Sequence, residues 1–93
     1  MANLKVQQRN WKQEAIETAR AMAYDFMPVT ERQALVQDRI LSSCQQGDLS
    51  LVMEAMVGAR LYATKQWRDW HDGWLRMVQR YLFSDQTATK IAA

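Results

Sequence analysis

The sequence predicts an all-α fold, a compact bundle of three to four helices with a long C-terminal helix, and three observations carry that expectation. Apolar residues recur in steps of three and four over most of the chain, the period of a helix with one buried face. Only three Gly and one Pro interrupt 93 residues, too few for the many turns of a sandwich or barrel. Ala, Leu, Met, Gln, Arg and Glu, all good helix formers, dominate the composition. With 48% hydrophobic residues and a net charge of +2, the chain has the apolar surface to fold rather than stay disordered. Its length suits a single helical domain over 1–93, with fraying expected at 1–9 and 85–93.

The first helix is expected from about Lys5 to Phe26. Trp11, Ala15, Ile16, Ala19, Met22, Ala23 and Phe26 form its apolar stripe, and Lys12, Gln13, Glu17 and Arg20 its wet side. Asn10 can cap a start at Trp11, with Glu14 near the positive end of the dipole. Pro28 denies Met27 helical dihedrals and ends the helix there. Thr30-Glu31-Arg32-Gln33 has the form of a capping box, so a second helix starts at Glu31, and Gly47 supplies the left-handed residue that closes it. Its stripe, Leu35, Val36, Ile40, Leu41 and Cys44, is narrow.

Asp48 is a suitable N-cap for a third helix from Leu49 to Ala63, which is apolar nearly all round and so reads as the centre of the domain. Gly58 within it would permit close approach of another backbone. No Gly or Pro separates it from the next stretch, so a continuous or gently bent helix from Leu49 to Phe83 is the expectation, about 50 Å long. A break near Thr64 is the alternative, because the apolar spacing slips by one residue between Ala63 and Trp67.

The stretch around which the chain is organised is Tyr62–Phe83. Trp67, Trp70, Trp74, Met77, Val78, Tyr81 and Leu82 line one stripe, and Lys65, Arg68, Asp69, Asp72, Arg76, Gln79 and Arg80 fill the intervals. Asp72 and Arg76 have the favourable order for an i,i+4 ion pair, and Gly73, opposite or beside the seam, would let another element come close. Residues 60–82 hold five basic and two acidic groups, against two and four in 31–59. That is a mild basic bias, short of a dense phosphate-binding stripe.

Catalytic and metal chemistry find little support. His71 stands beside Asp69 and Asp72, as a carboxylate-oriented general base would. Helical neighbours one or two apart do not face each other, however, so neither carboxylate is expected to orient the ring, and a solvent-edge or interface histidine is the plainer reading. Cys44 reads as a small buried thiol, and one Cys with one His falls short of a zinc site. Glu14 and Glu17 sit on an ordinary solvated face. The expectation is a non-enzymatic chain with no cofactor and no metal.

The N-terminus lacks the apolar core of a signal peptide and no run of about 20 apolar residues is present, so a cytoplasmic protein without a membrane span is expected. Four Trp and six Met exceed what so small an interior would comfortably hold, and Trp, Tyr, Met and Arg are enriched at interface centres. The sequence therefore points to a protein-binding module, an adaptor, regulatory subunit or inhibitor of a larger assembly, with a nucleic-acid-processing assembly among the candidate partners. Its partner surface would be Trp67, Trp70, Trp74 and Tyr81, rimmed by Arg68, Arg76 and Arg80, with self-association as a second mode. The alternative is a nucleic-acid-associated subunit contacting phosphates through Lys65, Arg68, Arg76 and Arg80. The short Gln45-Gln46-Gly47-Asp48 connection would permit a helix-turn-helix, but no signature for one accompanies it.

Overall fold

A computed structural model describes residues 10–92, with side chains described as far as Ser84. The described residues form four helices and no strand: α1 (Trp11–Asp25), α2 (Glu31–Gln46), α3 (Leu49–Arg60) and α4 (Lys65–Ala92). The fraying expected at 1–9 lies outside the described residues, as do the side chains of 85–93. No described helix is long and apolar enough to cross a membrane.

Local chemistry sets the helix ends. Asn10 Oδ1 accepts from Gln13 N (3.1 Å), satisfying one of the orphan amides of α1. Thr30 Oγ1 accepts from Gln33 N (3.1 Å) while Gln33 Oε1 accepts from Thr30 N (3.1 Å), a complete capping box. Gly47 adopts φ +74°, the left-handed conformation that costs glycine least. Asp48 Oδ1 accepts from Ser50 N (2.9 Å) and Leu51 N (3.4 Å).

The continuous helix expected over Leu49–Phe83 is corrected: α3 stops at Arg60 and α4 begins at Lys65. The turn forms without Gly or Pro because several of its backbone groups find new partners. Tyr62 N and Ala63 N switch to carbonyls three residues back, on Ala59 (2.9 Å) and Arg60 (3.3 Å). Thr64 Oγ1 accepts from Trp67 N (3.2 Å) and caps the new helix. The freed carbonyls of Tyr62 and Ala63 take Gln33 Nε2 (2.8 Å) and Arg68 Nη1 (3.1 Å). Folding back at this point returns the tryptophans of α4 to α1, which a straight rod would leave in water.

The helices pack as antiparallel neighbours. Trp67 Nε1 donates to Met22 O (2.8 Å) and Trp74 Nε1 to Ala15 O (3.0 Å), seven residues apart on both helices, so α4 runs antiparallel to α1. Cys44 Sγ on Ile16 O (3.6 Å) and Gln37 Nε2 on Ala23 O (2.8 Å) give α2 the same relation to α1. α1 and α3 each touch all three other helices, while α2 and α4 lie on opposite sides of that pair. The core is built small against large: Ala15, Ala19, Ala23, Ala55 and Ala59 are buried and leave room for Trp67, Trp74, Ile40, Met56 and Val78.

α3 is not buried on most sides as expected. Val52, Ala55, Met56 and Ala59 form its inner stripe, whereas Val57 is exposed, as is Leu61 just beyond its end. Gly58 and Gly73 do not mark close approaches either: a Cβ on Gly58 would meet nothing within 4 Å, and one on Gly73 only Arg76 Nη2 at 4.0 Å.

Candidate functional site

The tryptophan stretch, taken as one seam, is two surfaces. Trp67 and Trp74 are 2% and 4% exposed and face α1, whose alanines receive them. They are core, and their place in the expected partner surface is corrected. Trp70, Met77 and Tyr81, displaced to one side of that stripe, are 45%, 37% and 43% exposed. A step of 100° per residue rotates positions 70, 77 and 81 away from the contact line of 67, 71, 74 and 78. Tyr81 stacks on Trp11 of α1, with centroids 5.3 Å apart and planes within 15°. This half-exposed strip on the α1/α4 side is a contiguous aromatic surface that the fold leaves available, apart from the singly exposed Tyr24 and Phe83.

The cations sort themselves similarly. Lys65 Nζ pairs with Asp69 Oδ2 (3.0 Å) on the open surface, a contact worth little in water. Arg68 is drawn back onto Ala63 O. Arg76 and Arg80 are exposed, make no ion pair among the described residues, and lie one helical turn apart next to Met77 and Tyr81.

Asp72 does not pair with Arg76 as the spacing suggested. It receives a fork from Arg60 at the end of α3, Nε to Oδ1 (2.9 Å) and Nη2 to Oδ2 (3.0 Å). His71 Nδ1 lies 3.0 Å from the same Oδ1, so an adjacent carboxylate does orient the ring, against the expectation for helical neighbours. His71 is also 1% exposed, which corrects its reading as a solvent-edge or interface residue. With the Asp72 carboxylate as acceptor, Nδ1 is the donor of that contact, and Nε2 is buried with no hydrogen-bond partner among the described residues. The ring stacks on Trp67 (5.9 Å between centroids) and tilts against Trp74 (6.3 Å). Arg60 first, and His71 second, hold the Asp72 carboxyl well below the usual carboxylate range, and the same bond raises Arg60. His71 therefore behaves as an interior aromatic anchored to an interhelical ion pair. Cys44 is buried, and desolvation pushes its thiol up against a smaller pull from Arg20. Among the described residues no group of three His, Cys, Asp or Glu could hold a metal ion.

Sequence reasoning missed a pocket of about 370 Å³ at the end of the bundle where α1 closes and α4 begins, walled by Phe26, Met27, Tyr62, Trp67 and Trp70 with Asp25 at its edge. Its parts come from three separate segments, so no local spacing announces it. It also missed Arg60, twelve residues from Asp72 and on another helix. The only available signal was an unpaired basic residue near the end of an otherwise apolar segment.

Compared with known proteins, the chain matches no family model, and no curated protein and no solved structure is significantly similar to it.

Proposed function

We propose that this chain is a non-enzymatic protein-binding module, an adaptor, regulatory subunit or inhibitor of a larger cytoplasmic assembly. It engages its partner through Trp70, Met77 and Tyr81, with Trp11 behind them. The observation that carries the reading is the strip itself: three large residues on one side of α4 stay well exposed although the core beside them is closed. Half-exposed Trp, Tyr and Met are costly to leave in water and are the residues that anchor interfaces. Arg76 and Arg80 rim the strip, so an acidic groove is the complement it fits. The non-enzymatic reading is supported by the use of His71 and Asp72 in packing and ion pairing rather than at an open cleft.

The test is co-purification from the host lysate with wild type beside Tyr81→Ala and Arg76→Glu, with circular dichroism confirming that both variants fold. A stoichiometric protein partner lost in a folded variant supports the module. A salt series separates the alternative, phosphate contact through Lys65, Arg68, Arg76 and Arg80. Phosphate-driven binding would fall steeply between about 50 and 200 mM salt, and an apolar interface would change little. Sedimentation of the wild type over a concentration series tests self-association through the same strip.

A further inference from the structure

The pocket between the α1–α2 loop and the α3–α4 turn differs in charge from the arginine-rimmed strip. Asp25 is the one formally charged residue in its lining, and no described residue gives that carboxylate an ion pair or a hydrogen bond. α1 ends beside it with no basic residue in its last turn, so the negative end of the helix dipole is uncompensated there. The Gln66 amide is exposed at the rim, and the side-chain polar groups of Gln33, Thr64 and Trp67 are already spent. Gln33 bonds Tyr62 O, Val29 N and Thr30 N, Thr64 Oγ1 takes Trp67 N, and the Trp67 indole N–H is turned away into α1. What remains is aromatic wall, the neutral Gln66 amide and one carboxylate without an ion pair, and of these the rings and the carboxylate together attract an organic cation.

Size and surroundings narrow the ligand further. A pocket of about 370 Å³ is at the low end of the roughly 300–1,000 Å³ of ligand sites and suits one side chain better than a folded element. Tyr24, Met27 and Val29, on the segment that forms one wall and continues from it, are all exposed, giving the residues flanking such a side chain an apolar shelf. A guanidinium suits the walls better than an ammonium, since it is planar, weakly hydrated, able to stack on indole and forked to meet a carboxylate. The same ring chemistry is already in use nearby, where Arg32 lies over the Tyr62 ring (5.9 Å) and donates to its hydroxyl (3.2 Å).

We propose that this pocket receives an arginine side chain of a partner polypeptide, with Asp25 taking the guanidinium and Trp70 and Phe26 forming its walls. The inference rests on the binding-module reading for the existence of a partner, but the two fail separately: Asp25→Asn tests the pocket and Tyr81→Ala tests the strip.

The experiment is an NMR titration of the full chain with a capped Gly-Arg-Gly peptide, its citrulline counterpart, and methylguanidinium. The readouts are the Trp70 indole N–H and the Met27 methyl signals. The expected result is saturable binding of the arginine peptide, weakened about tenfold or more by citrulline, by Asp25→Asn and by Trp70→Ala in variants whose circular dichroism is unchanged. Methylguanidinium is expected to bind at the same residues but more weakly than the peptide. Equal binding of the citrulline peptide, indifference to Asp25→Asn, or the absence of a saturable shift would overturn the cation site. Methylguanidinium binding as tightly as the peptide would overturn its assignment to a partner chain.

Discussion

Two stripes of one helix, made from the same kinds of residue, have opposite surroundings. Trp67, His71, Trp74 and Val78 lie against the alanines of α1 and are closed to water, while Trp70, Met77 and Tyr81, less than a quarter-turn round the helix, are not. The difference does not lie in α4, since both stripes are aromatic and both follow helical spacing. It lies in what α1 presents. Ala15, Ala19 and Ala23 leave an indole-sized space on one side, and Glu14 and Thr18 occupy the positions facing Met77 and Tyr81 on the other. Whether a tryptophan is core or contact is thus decided by the partner helix, 45 to 59 residues away in the chain.

Breaking each stripe in turn gives the largest expected contrast. Trp67→Ala is expected to cost about 3–5 kcal/mol, from lost burial and the cavity left behind, which is a large share of the stability of a domain this size. It also strands Met22 O. Trp70→Ala should cost no more than about 1 kcal/mol, because almost half of that side chain is already in water. Urea denaturation of the two variants, compared at matched m-values, checks the difference.

The acid limb sharpens the account of the inner stripe. Asp72 has a folded-state pKa below its unfolded value, so it contributes stability that is fully present above the ordinary carboxylate range near pH 4 and lost as pH falls through and below it. Stability of the wild type should therefore decline on acidification more steeply than that of Asp72→Asn, which lacks this linkage. Parallel curves would mean that the Arg60–Asp72–His71 contact adds nothing in solution.

The smallest effect tests the openness of the outer stripe. Gly73→Ala and Gly58→Ala add a methyl where no backbone lies within reach, and each should raise stability by about 0.5–1 kcal/mol through reduced unfolded-state entropy. A loss at Gly73 in thermal denaturation would mean that another element packs on that stripe.

The features legible in the sequence are those whose physics is local. Asn10, Thr30 with Gln33, Gly47 and Asp48 act within three or four residues of themselves, and each occupies the capping position its neighbours implied. Thr64 belongs to the same group: it caps Trp67 from three residues back, and the slip in apolar spacing marked the break there as the alternative, although the absence of Gly and Pro favoured a continuous helix. Contacts across the fold were not legible. The pairing of Asp72 with Arg60 rather than Arg76 depends on where α3 ends, and the burial of Trp67 and Trp74 depends on alanines in α1. The pocket needs Asp25, Tyr62 and Trp70 brought together by two turns, and no periodicity encodes that.

Hydrogen exchange of the individual tryptophan indole N–H groups, followed by NMR in the wild-type chain, tests the division of α4 most directly. The account predicts slow exchange at Trp67 and Trp74, whose N–H groups are buried on Met22 O and Ala15 O, and fast exchange at Trp70. Trp70 protected as strongly as Trp67, or Trp67 exchanging as fast as Trp70, would contradict it.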